Sequence, residues 1–330
     1  MMGINYKAPY IHTEMTAPYI YLTHIAALIP GIVCGIIYYG ISAIALIAVC
    51  ATAFMLLDNA FGHMVRRDGI DRNYTDFSSI EAGIVYALML PPGTSLFVAL
   101  AGVLFGSFVV KQFFGGSGNN ILNPACAARL CVELLFPSQM SNFKTPVTSW
   151  FDVTSLIGSS EAVVKNENFF DLSMSEILSG NYIGYIGMTC GILILLAGVY
   201  MAFKGTIRIY APIAYLTVLT ILFPLVGIRD ASLYDNLRNI AQFVFASGAL
   251  FIAVYALGDF TTMPSRIWGG IFAGTLCALM TIILYGRVSV TCAVLAPVLA
   301  TNFMSFEIDF FTKAIARRGK INQREVKVPK

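Results

Sequence analysis

Apolar runs of about 17 to 22 residues recur from one end of the chain to the other, the length an α-helix needs to cross the hydrocarbon of a bilayer. Lipid offers nothing to hydrogen-bond a bare peptide group, so such a chain must satisfy its backbone internally, as helices. Composition agrees, with 57% hydrophobic and 12% charged residues and a mean hydropathy of +0.75. The predicted fold class is an all-α polytopic membrane protein.

Ten candidate spans can be drawn: Tyr19 to Tyr38, Ile41 to Leu57, Ser79 to Leu90, Ser95 to Phe114, Asn120 to Phe136, Tyr182 to Phe203, Ile209 to Val226, Asn239 to Leu257, Ile267 to Tyr285 and Ser289 to Met304. The third and fifth are short or polar for a simple crossing. The first run lacks the basic flank and cleavage site of a signal peptide, so it is expected to stay in the membrane. Arg66, Arg67, Arg72, Lys204, Arg208 and the basic tail fall on one side of a ten-span chain. Basic loops resist translocation, which makes that side the cytoplasm and places both termini there. The parts are then a cytoplasmic N-terminus (1–18), a first five-helix unit (19–137), an acidic outward connection (138–181), a second five-helix unit (182–304) and a basic cytoplasmic tail (305–330).

A repeated irregularity suggests two inverted five-helix repeats with broken helices. In the first half "LMLPPG" is followed by a glycine-spaced span and then "GGSGNNILNPACAARL"; in the second, "DFTTMP" is followed by a glycine-spaced span and "VLAPVLATNF". Peptide groups freed by such breaks need protein or a wet cavity beside them, and matching breaks in two halves commonly mark a transporter's site. Helix N-termini exposed there suit an anion, a phosphate or a cofactor. Gly115, Gly116, Asn120 and Asn123 are therefore candidate cofactor contacts, although glycines also serve close helix packing alone.

Other signals exclude rather than assign. There is no G-x-G-x-x-G, P-loop, H-E-x-x-H or CxxC, so neither a nucleotide fold nor an iron–sulfur or zinc site is indicated. The net charge of +3 lies mostly in the tail, which reads as an anchor beside anionic lipid, not as a nucleic-acid surface. The seven cysteines read as small core residues and the three histidines are scattered.

Within the apolar runs four charged residues stand out. Arg129 and Glu133 are spaced to neutralise each other on one helix face. Glu81 and Asp259 are acids at the cytoplasmic ends of matching segments, suited to a cation path, a subunit contact or simple interfacial hydration.

The stretches "SSIEAGIVYALMLPPG" and "VVKQFFGGSGNNILNPACAARLCVELLFP", continued by "LLAGVYMAFKGTIRIYAPIAYL", "FASGALFIAVYALGDFTTMP" and "APVLATNF", resemble the D subunit of the Rnf ion-translocating ferredoxin:NAD oxidoreductase. The homologous B subunit of the sodium-pumping NADH:quinone oxidoreductase is similar, and the likeness covers nearly the whole chain. It implies a bacterial inner-membrane subunit, working with other membrane and soluble subunits, that couples ferredoxin or NADH oxidation to Na⁺ or H⁺ movement. It also implies FMN, esterified to a threonine of an outward D-x-x-[ST]-G-A-T motif.

The corresponding stretch is "FDVTSLIGSS", where Asp152 and Ser155 match but Gly158 stands at the acceptor position. A phosphoester cannot form on glycine, which leaves Thr154, Ser155, Ser159 and Ser160 as hydroxyls in reach of a shifted attachment. Met188 stands where the family usually has an intramembrane glutamate, and the "EG" expected before the last span is absent. A small-solute channel with urea-transporter-like repeats, and a cofactor-free structural subunit, remain alternatives to a flavin carrier. No catalytic activity is expected of the chain alone.

Overall fold

In the computed structural model, residues 15–65, 77–116, 118–147, 151, 172–227 and 233–325 are described. Proline and glycine decide where the helices stop. Helix α1 (Ala17–Tyr39) ends at Gly40, whose φ of 59° turns the chain directly into α2 (Ile41–Val65). Helix α3 (Phe77–Leu88) has only 12 residues, about 18 Å of rise, because Pro91 and Pro92 follow it. Helix α4 (Leu96–Leu104) winds on as a π-helical segment (Phe105–Gln112). Helix α5 (Pro124–Leu135) starts afresh after the glycine and asparagine turn.

A short α6 (Pro137–Met140) and α7 (Met174–Ser179) belong to the long connection. The second half holds α8 (Gly191–Phe203), α9 (Tyr210–Gly227), α10 (Leu233–Ala246), α11 (Ala249–Tyr255), α12 (Ile267–Leu284) and α13 (Val290–Phe303). Helix α14 (Ser305–Glu325) carries the basic tail and bends from α13 by 51°.

The described chain is all-helical, without a β-strand. Three helices are long and apolar enough to cross a membrane, α1, α2 over Ile41–Phe61 and α12, or four if α13 with α14 counts as one broken span. The protein is thus multi-pass, but several predicted spans are not continuous helices. The sixth begins as an irregular segment through Cys190 and becomes helical only at Gly191. The eighth breaks at Ser247 and Gly248, where φ is 79°. The fifth becomes helical only at Pro124, because Asn120 to Asn123 form the approach to its cap. In each case glycine or proline outweighs apolar composition.

Helix pairings in the first half recur in the second. Helix α3 packs on α1, α2 and α5, as α11 packs on α8, α9 and α13; α4 packs on α2 and α5, as α12 packs on α9 and α13. Small residues allow these approaches: a Cβ built on Gly83 of α3 would lie 2.7 Å from Ala51 Cα, and one on Gly274 of α12 would lie 2.3 Å from Ala211 O. One apolar core runs through both halves, from Leu28 and Phe54 to Leu250 and Val294.

Candidate functional site

The two breaks meet at a small cavity of about 30 Å³, lined by residues of both halves that include Ser78, Glu81, Asn120, Asn123, Tyr255 and Asp259. Each wall has a local cause. Asn123 caps α5, its Oδ1 accepting from Ala125 N and Cys126 N at 3.1 Å each, with Pro124 at the first helical position where no N–H is needed. With its amide oriented to satisfy both ends, Asn302 of α13 accepts from Asn123 N at 3.1 Å and donates to Val298 O at 3.2 Å, tying one half to the other. Asp259 folds its own turn, accepting from Thr261 N at 3.0 Å, Thr261 Oγ1 at 2.6 Å and Thr262 Oγ1 at 3.0 Å. Asn120 Oδ1 is buried and has no hydrogen-bond partner among the described residues.

Glu81 is held from α1. His24 Nδ1 lies 2.7 Å from Glu81 Oε1, and His24 Nε2 lies 2.7 Å from Thr206 O just beyond α8. A backbone carbonyl only accepts, so Nε2 carries a proton; Nδ1 and the carboxylate then share one more, held by whichever of the two donates. His24 is buried and Glu81 partly so, with the two side chains 4% and 14% exposed. Tyr255 of α11 donates to Ala27 O at 3.0 Å and adds a second link from α1 to the second half.

Beside the cavity lies a second polar cluster. Lys111 Nζ is 2.5 Å from Asp58 Oδ2 and donates to Ser78 Oγ and Ser79 Oγ at 2.7 Å each. Ser79 also donates to Asp58 Oδ2, Ser107 to its Oδ1 at 2.9 Å, and Gln112 Nε2 to the same Oδ1 at 3.0 Å. The "KQ" of the glycine-rich stretch thus neutralises and anchors a buried carboxylate of α2. Through Ser78 this cluster touches the cavity wall.

Arg129 and Glu133 pair at 2.7 Å, away from the cavity. Arg129 Nε donates to Met89 O at 2.9 Å, its guanidinium lies 5.5 Å from the Tyr185 ring centre, and Glu133 Oε1 accepts from Ser289 Oγ, the cap of α13, at 3.0 Å.

Of the residues singled out from sequence, Glu81, Asp259, Asn120 and Asn123 come together. Gly115 and Gly116 do not line the cavity; their φ values of 109° and 85° shape the turn before it. Asp152, Thr154, Ser155, Ser159 and Ser160 lie outside the described residues. Sequence reasoning passed over His24, Asp58, Lys111 and Asn302. Charge inside an apolar run was an available signal for Asp58 and Lys111, and Asn302 sits in the quoted break "VLAPVLATNF"; nothing local marked His24.

The donor set is oxygen: two carboxylates, amide and hydroxyl groups. Such a set suits a hard cation or water, and 30 Å³ holds one or two waters or a small ion. Among the described residues no three His, Cys, Asp or Glu side chains cluster as a transition-metal site.

The family model described as NQR2, RnfD, RnfE matches residues 4–317. The chain belongs to that family. This NQR2/RnfD/RnfE member is 27% identical, over 93% of its length and 92% of the relative's, to the D subunit of the Na⁺-translocating ferredoxin:NAD⁺ oxidoreductase complex of Acetobacterium woodii. It is 23% identical to the D subunit of the ion-translocating oxidoreductase complex of Escherichia coli, over 93% and 96% of the two chains. To the B subunit of the Na⁺-translocating NADH-quinone reductase of Klebsiella pneumoniae it is 27% identical over 61% of its length, spanning 51% of that relative.

Proposed function

We propose that this family member is the membrane subunit of a redox-driven ion-translocating complex, and that the cavity between its halves takes the transported cation. The observation that carries the reading is the meeting of Glu81, on α3, and Asp259, in the break after α11, on one ion-sized cavity with the unpartnered oxygen of Asn120. The names of the relatives, which speak of Na⁺ or ion translocation coupled to ferredoxin or NADH oxidation, support it. So does the recurrence of helix pairings, which suits two five-helix repeats around a shared site.

In this reading a cation sheds water into the carboxylates and the Asn120 carbonyl, where low dielectric strengthens each contact. The proton shared by His24 and Glu81 gives the site two charge states: with it on His24, Glu81 is an anionic ligand; with it on Glu81, that ligand is lost. The Lys111 ammonium, one serine away, offsets part of the negative charge and weakens retention of the ion, as release requires.

FMN is the second element of the proposal, and it rests on the outward loop. Asp152, Thr154, Ser155, Ser159 and Ser160 would hold it there, with an ester on a hydroxyl neighbouring Gly158. FMN would supply one-electron redox chemistry. The cavity beside Asn120 and Asn123 is too small for an isoalloxazine ring. A flavin at those residues would need a partner protein's surface or an opened cavity.

The deciding experiment is uptake of radiolabelled Na⁺ into proteoliposomes of the whole complex, driven by reduced ferredoxin or NADH. Glu81→Gln and Asp259→Asn each remove a charged ligand, worth about 1.5–3 kcal/mol, and should raise half-saturating Na⁺ roughly tenfold or more. Wild-type saturation in both variants would sink the proposal. Intact mass and fragmentation of the purified protein test the FMN element separately.

A further inference from the structure

Cys34 of α1 and Cys190, the residue before α8, place their sulfurs 2.8 Å apart, about 0.8 Å beyond a disulfide bond. They are 156 residues apart in sequence and come from different halves of the chain. Cys34 is partly exposed, Cys190 is buried, and both are free thiols. The contact has a built setting. Gly35 packs so closely that a Cβ there would meet Ile186 O at 2.7 Å, and Tyr38 OH donates to Ser179 O at 2.8 Å at the end of α7. The sulfurs therefore lie at the end of the bundle where the long connection returns.

The other end of the same helix pair is already joined. His24 of α1 bonds Thr206 O, just past the end of α8, at 2.7 Å. Residue 24 faces 206 and residue 34 faces 190, so α1 and α8 are antiparallel neighbours fastened by His24 at the cavity end and facing each other through two thiols at the opposite end.

We propose that Cys34 and Cys190 form a redox-closed lock: an external disulfide oxidises them to a cystine that fixes α1 to α8 and reversibly slows translocation. The chemistry is thiol–disulfide exchange. The more accessible Cys34 thiolate, its proton gone to solvent, attacks the external disulfide, forming a mixed disulfide and expelling one thiolate. Cys190 then loses its proton and its sulfur displaces the second thiolate from Cys34, so that two protein thiols are oxidised and one external disulfide is reduced to two thiols. Because α1 carries His24, a fixed α1 hinders any motion by which the shared proton or Glu81 changes partners.

The test uses the whole complex in native membranes, treated with oxidised glutathione, quenched with an alkylating reagent, and analysed by peptide mapping. The expected result is one crosslinked peptide pair holding Cys34 and Cys190, with two of the chain's seven thiols protected from alkylation. Dithiothreitol should release the link and restore Na⁺ uptake slowed by oxidation. Cys34→Ser and Cys190→Ser should each abolish both the link and the oxidant sensitivity, so that a folding failure in one leaves the other as the control. Separate alkylation of both thiols after oxidation overturns the proposal, as does a link that leaves uptake unchanged. The flux arm rests on the transport reading above; the mapping arm does not, so a link found in a complex that moves no Na⁺ would count against that reading alone.

Discussion

Lys111 and Asp58 form an ion pair of 2.5 Å with side chains 0% and 2% exposed, one from the π-helical end of α4 and the other from α2. Removing one member of a buried pair strands the other charge, which costs about 3–5 kcal/mol, whereas replacing both with apolar residues of similar volume is often close to neutral. Lys111→Met and Asp58→Asn are each expected to lower the thermal midpoint in detergent by more than the double variant Lys111→Met/Asp58→Leu. A double variant as unstable as the worse single would show that the serine and glutamine bonds, not the charges, hold the cluster.

The breaks in the chain were legible because proline, glycine and asparagine act through their own backbone chemistry, so "NNILNP" and "DFTTMP" declared themselves locally. Glu81 and Asp259 were legible one by one, as acids within apolar runs, though their meeting at one cavity is tertiary. His24 was not, since a single histidine in an apolar run has no period and its partners, Glu81 and Thr206, lie far along the chain. Cys34 and Cys190 escaped for the same reason: cysteines were weighed by spacing, and their spacing is tertiary. Continuous spans were over-read at Tyr182 to Cys190, where apolar residues form an irregular segment whose Ile186 and Gly187 N–H groups are satisfied by Leu90 O and Leu88 O across the fold.

Two glycines should separate tight packing from mere smallness. A Cβ on Gly274 would stand 2.3 Å from the Ala211 carbonyl, a backbone atom of α9 that cannot rotate away; one on Gly31 would meet Gly187 O at an ordinary 3.6 Å. Gly274→Ala is expected to cost about 1–3 kcal/mol through forced separation of α12 and α9. Gly31→Ala should be within about 0.5 kcal/mol of wild type or slightly stabilising, as alanine is the better helix former. Unfolding midpoints of the two variants in one detergent decide this, and equal losses would contradict it.

The connection between the halves carries its own acid-sensitive element. Ser173 and Glu176 form a capping box on α7, with Ser173 N donating to Glu176 Oε2 at 2.8 Å and Ser173 Oγ to the same oxygen at 2.7 Å. These bonds hold the Glu176 carboxyl below its ordinary value of about 4.5. A depressed folded value means that the contribution is present above the unfolded value and fades as pH falls through the folded one. Amide exchange in α7, corrected for intrinsic rates, should therefore speed up below about pH 4.5 in wild type and lose that dependence in Glu176→Gln. A wild type whose α7 protection is level through that range would remove the capping box as its support.

The shared proton of His24 and Glu81 makes a prediction of ordering. In Glu81→Gln the amide can donate to Nδ1 of a neutral imidazole while Nε2–H still donates to Thr206 O, so every bond survives with one proton fewer. In Glu81→Ala the Nδ1 atom loses its buried partner, at a cost of about 1–3 kcal/mol. Glu81→Gln should thus unfold near the wild-type temperature while Glu81→Ala unfolds clearly below it, even though both lose cation affinity to a similar degree. His24→Ala should resemble Glu81→Ala in stability, because it leaves Glu81 without its hydrogen-bond partner and the Thr206 carbonyl without its donor. If Glu81→Gln is as unstable as Glu81→Ala, the carboxylate charge itself holds α1 in place, and His24 is then a fixed cation, not a proton-sharing partner.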